Sequence, residues 1–199
     1  MPASVFVLLV ALGASSPPPS LLNGRLESRS TEGSLGALFP HLLREKASSF
    51  WIGYGVPLEG RGPGCCDSPS SRGCCPQEAR EGDGPASRRG PVHLEGPRNL
   101  MVLFRVEDGR VGAIRALSDH CALDAGGRTL VWLTDVTPGE SLTLLESFLR
   151  GERRLSEGAL GAVAFHAGPE ADGVLERLVG KGEGEPLRKT AAFWMGSAR

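Results

Sequence analysis

Leu155–Arg199 reads LSEGALGAVAFHAGPEADGVLERLVGKGEGEPLRKTAAFWMGSAR, and its spacing sets the expected architecture. It predicts a helical hairpin, Leu155–Ala167 and Pro169–Val179, then the first helix of a second hairpin, Pro186–Ala198. Gly168-Pro169 ends one helix and opens the next, because proline suits a first helical position. Val174, Leu175, Leu178 and Val179 form the apolar face of the middle helix. Leu187, Ala191, Trp194 and Met195 form that of the last. Leu155 and Ala159 recur as Leu187 and Ala191, an offset of 32 residues. That is about the length of a solenoid repeat.

Upstream, Thr137-Pro138-Gly139-Glu140 is the strongest local signal. Thr137 caps a helix, Pro138 takes its first position and Glu140 closes a capping box. Leu142, Leu144, Leu145 and Phe148 give that helix its apolar face, and Gly151 stops it. An earlier helix is expected over Ser34–Lys46, where Leu35, Leu38, Phe39, Leu42 and Leu43 share one face. Pro40 lies inside it and removes a backbone donor, so a kink or a restart is expected there.

The strands follow a period of two. Phe50, Ile52, Tyr54 and Val56 alternate with Trp51, Gly53 and Gly55. Leu100, Val102, Phe104 and Val106 face one way and Met101 and Leu103 the other, as in an interior strand covered on both faces. Asp108-Gly109 supplies a hairpin turn into Arg110–Leu117. Asp124–Gly127 reads as a further turn, Thr129–Leu133 as a strand and Arg25–Ser30 as a short one. The fold class expected is α+β: a small antiparallel sheet with a packed helix, followed by helical hairpins.

Composition narrows the function. The net charge is −1, with 22 basic and 23 acidic residues. That balance gives no basic footprint for nucleic acid. Val5–Leu12 is apolar and is followed by Gly13-Ala14-Ser15-Ser16. This fits a secretory signal peptide over residues 1–16 and a periplasmic or secreted protein. No Lys or Arg precedes the apolar core, and a buried N-terminal strand is the competing reading. The run is too short to span a bilayer.

Leu58–Arg98 is rich in Gly, Pro, Ser and Arg, and reads as a partly disordered insertion. It holds Cys65-Cys66 and Cys74-Cys75. Three states are open for these thiols: disulfides, a metal site with zinc as the candidate ion, or free thiols. The adjacent spacing counts against zinc, which favours C-x2-C, and export favours disulfides. Connectivity cannot be read from spacing. Cys121 is left over as a lone thiol, either a buried apolar cysteine or a redox group. His120 beside it does not make a nucleophilic pair, since neighbours on a strand face opposite ways. His166, at a helix end, is expected to be structural. The sequence has no Walker loop, G-x-S-x-G or H-E-x-x-H, so no catalytic residue and no resident cofactor are assigned.

The L-x-x-x-A helix start, the G-P-E turn and Leu187-Arg-Lys-x-Ala-Ala-Phe-Trp194 resemble the HEAT-type repeat, in the short form of phycobilisome lyases. The whole chain looks like exported bacterial HEAT-repeat proteins. These similarly carry a Trp-Ile-Gly-Tyr strand, a cysteine-pair loop and a Leu-Phe-Arg-Val hairpin. The resemblance implies a repeat segment over 151–199 of about one and a half units, after an α+β domain over 20–57 and 99–150 interrupted at 58–98. Repeat arrays need about three units and a polar cap, so Trp194 and Met195 become candidates for a surface that docks a protein partner. The function expected is a non-enzymatic interaction or scaffold module of the cell envelope. The alternative is a metal-binding or thiol-redox protein acting through Cys65-Cys66 and Cys74-Cys75.

Overall fold

The computed structural model describes residues 16–32, 34–45, 49–60, 62–63, 96–180 and 183–198. The signal-peptide reading, apart from Ser16, and the four insertion cysteines lie outside the described residues.

The elements run β1 (Leu21–Ser30), α1 (Leu35–Glu45), β2 (Phe50–Pro57), β3 (Asn99–Glu107), β4 (Arg110–Ser118), β5 (Leu123–Thr134), α2 (Pro138–Glu146), α3 (Arg153–Phe165), α4 (Pro169–Val179) and α5 (Glu185–Ser197). The described strands form one sheet in the order β1-β5-β2-β3-β4.

The expectation of a small antiparallel sheet is wrong. β5 lies between β1 and β2 and runs parallel to both, while β2, β3 and β4 are antiparallel neighbours. The sheet is mixed because α1 carries the chain from β1 to a parallel β2 two positions away, and β5 fills the place between them. Parallel neighbours require such a crossover, whereas antiparallel ones need only a hairpin.

The turn expected at Asp124–Gly127 is an irregularity inside one strand. Asn23 pairs with Asp124 and Arg25 with Thr129, so Ala125–Arg128 loops out of the β1/β5 ladder. Gly126 and Gly127 take φ of 61° and 77° there, the left-handed region that glycine enters without a Cβ clash. The Asp124 carboxylate accepts the Gly126 N–H at 2.7 Å, an Asx-type turn. Leu123 and Leu130, on either side of the irregularity, both line a cleft on one face of the sheet.

Each face of the sheet is covered with apolar side chains. On the helix side, Phe104 meets Phe39 of α1 with centroids 4.9 Å apart, and Tyr54 and Phe148 at 5.9 Å each. Met101, Leu103, Leu117, Leu130 and Trp132 pack on the other side. β3 is therefore buried on both faces, as its double alternation predicts. α1 continues through Pro40, with Leu35, Phe39 and Leu42 buried at helical spacing.

The helices after the sheet also need correction. α3, α4 and α5 lie close to their expected positions, yet they form a cluster against the sheet rather than a HEAT-like hairpin solenoid. The buried residues Leu160, Val163, Val174, Leu175, Leu178 and Ala191 belong to the same core as Phe50, Ile52 and Phe104. Gly158 brings α3 onto β4 so closely that a Cβ there would sit 2.5 Å from the Ile114 carbonyl oxygen. The α3–α4 junction is stitched to the end of β2. Pro57 C=O accepts the Ala167 N–H, and Phe165 C=O accepts the Glu59 N–H, both at 3.0 Å. Helical periodicity reports only that a face is buried; it does not say whether a second hairpin or a sheet buries it.

Candidate functional site

Three places gather the chemistry-bearing residues.

The first is a buried polar chain. Tyr54 comes from the inner face of β2, Ser141 from the first turn of α2 and His166 from the C-cap of α3. Ser141 Oγ donates to Tyr54 Oη at 3.0 Å, and His166 Nε2 lies 3.0 Å from the same Oγ. All three side chains are fully buried. Burial pushes the Tyr54 phenol well above its ordinary value, while its hydrogen bond with Ser141 pulls the other way. A serine beside a histidine has the spacing of a nucleophile and its base. Here the pair is sealed in the core and no substrate can reach it. Its chemical role is to satisfy three polar groups where β2, α2 and α3 meet.

Next to it, Glu140 joins two helix starts. Its carboxylate accepts the Leu35 N–H at 2.9 Å, the Thr137 N–H at 3.1 Å and the Thr137 hydroxyl at 2.8 Å. The hydrogen bond from Leu35, with those from Thr137, holds the Glu140 carboxyl below the usual glutamate range, against some opposing desolvation. The capping box predicted from Thr137-Pro138-Gly139-Glu140 is present, and it also caps α1. No sequence signal links Leu35 to a residue 105 positions away.

The second place is a cleft of about 390 Å³ on the sheet face away from the helices. Leu21, Leu103, Leu123 and Leu130 make its apolar walls, and Asp124 lies at its rim. The Arg115 guanidinium lies over the Trp51 ring, 5.8 Å from its centroid, within the range of a cation–π contact. The described lining holds an arginine and an aspartate but no His, Cys or Ser.

The third place is the outer side of α5. Ala191 is buried against the helical cluster. Trp194 is half-buried, with its ring 5.3 Å from Phe165 and 5.4 Å from Phe193. Of the two surface candidates, Trp194 is therefore largely a packing residue and Met195 is exposed. Phe193, not singled out by sequence reasoning, is 63% exposed. Its place one residue before an inward-facing Trp194 on a helix turns it outward, a signal present in the pattern.

The remaining candidates separate. His120 is exposed and Cys121 buried, so they do not act as a pair. Cys121 is buried and is disulfide-bonded. Among the described residues no three His, Cys, Asp or Glu side chains come together to hold a metal ion. Nor is any described helix long and apolar enough to cross a membrane. No family model, curated protein or solved structure matches the chain.

Proposed function

We propose that this chain is a non-enzymatic protein-interaction module of the cell envelope. It binds an apolar segment of a partner protein through the outer face of α5. The observation that carries the reading is Phe193, a large aromatic 63% exposed on a helix anchored by Ala191 and by Trp194 against Phe165. Exposed aromatics on a firmly held element are the usual anchors of an interface. Placement in the envelope is supported by the leader-like Val5–Leu12 run and by the Cys121 disulfide, since disulfides persist in oxidising compartments.

The test is a photo-crosslinking side chain at position 193 in the intact producing cell, with exposed Glu170 as control position. The reading expects one protein adduct at 193 and none at 170. Equal labelling from both positions contradicts it.

A second reading, thiol redox chemistry, is favoured by one observation: Cys121 is held as a disulfide. Its sulfur is buried, and burial suits a structural bond, whereas exposed disulfides are the labile ones. Alkylation and intact-mass analysis, with and without glutathione, separate the two. A Cys121 thiol that stays protected until the chain is denatured and reduced supports the structural role. Ready release by glutathione supports the redox one.

A further inference from the structure

We infer that β1 is a self-association edge, at which a second copy of this chain adds its own β1 antiparallel about a two-fold axis through Leu26. The inference rests on β1 alone and is independent of the α5 reading. β1 is the end strand of the sheet, and among the described residues only β5 pairs with it. Leu22 is 73% exposed and Leu26 38% exposed, so this edge shows apolar side chains to solvent. An edge strand also presents backbone donors and acceptors on its outer side. Arg25 to Ser30 run in unbroken register with Thr129 to Thr134, so the pairing centre at Leu26 lies in the regular part of the strand, and the register shifts fall before Arg25.

Charge selects the occupant. Arg25 and Glu27 lie on the same side of β1, with Arg25 Nε 3.7 Å from Glu27 Oε1. A two-fold axis through Leu26 sets Arg25 opposite Glu27 of the second copy, and Glu27 opposite its Arg25. The four charges then form a square of alternating sign, with Leu26 against Leu26 on the other face. Opposite charges directly across an antiparallel pair stabilise it, and like charges destabilise it.

Neighbouring registers are worse. An axis through Glu27 sets Glu27 against Glu27 and Arg25 against Arg29. An axis through Ser28 calls on Arg29, whose guanidinium is already held by both oxygens of Glu45 at 2.7 and 2.9 Å. An antiparallel isologous contact also closes on itself, so it yields a dimer and not a fibre.

Sedimentation of the full chain across the micromolar range tests this. A concentration-dependent monomer–dimer equilibrium is expected. Arg25→Glu places like charges opposite each other twice, and should weaken the dimer about tenfold or more. The double variant Arg25→Glu/Glu27→Arg restores the alternating square and should return the dissociation constant close to that of the unaltered chain. Arg25 is largely exposed, so circular dichroism should show each variant folded. A monomer throughout overturns the proposal. So does a dimer indifferent to Arg25→Glu, or a double variant no tighter than the single one.

Discussion

Ser141 is the residue on which the junction of sheet and helices turns. It is fully buried and bonded to both Tyr54 and His166. Ser141→Ala leaves two buried polar groups short of a partner, which costs about 1–3 kcal/mol. Chemical denaturation should show that loss as a lowered midpoint at unchanged slope. Glu140 makes a pH-dependent contribution of definite sign. Its carboxyl is held below the ordinary value of 4.5 by the Leu35 and Thr137 hydrogen bonds. Stability from it is therefore complete above that ordinary value and is lost as pH falls through the lowered one. Glu140→Gln should be less stable than the unaltered chain at neutral pH, with the gap closing on acidification. A gap that is constant in pH would count against the bridging role. Tyr54 was legible as inward-facing from its alternation with Phe50, Ile52 and Val56. Its partners were not, because a buried hydroxyl announces only the need for a hydrogen bond, not which distant residue supplies it.

At the scale of elements, α3 shows where helix propensity and packing pull apart. Propensity alone would make Gly158→Ala favourable by about 1 kcal/mol. The added Cβ, however, would stand 2.5 Å from the Ile114 carbonyl oxygen, a backbone atom that no rotamer change can move. Overpacking of this kind costs about 1–3 kcal/mol, so the packing term should win and the melting temperature should fall. Gly36→Ala in α1 is the control. A Cβ there meets nothing within 4 Å, and the melting temperature should hold or rise. The helices and interior strands were readable because periodicity and caps are local. β5 was not, since two glycines at positive φ look the same in a turn and in a looped-out stretch of one strand. The parallel pairing of β1 and β2 with β5 was equally hidden, because it joins segments roughly 80 to 100 residues apart.

For the whole molecule, the 32-residue recurrence of Leu155 and Ala159 as Leu187 and Ala191 pointed to stacked, separable units. The positions that recur are real packing positions, for Ala159 and Ala191 are both fully buried. They are buried in one core that also holds the sheet. The helices should therefore share the fate of the strands, and α5 should present Phe193 from a rigid body. Native-state hydrogen exchange tests this directly, by comparing the most protected amides of α3 and α4 with those of β2 and β3. One shared opening free energy is expected, reduced equally in both groups by Ser141→Ala. Helices that open at lower free energy than the strands, or that keep their protection when Ser141 is removed, would contradict a single sheet-and-helix core.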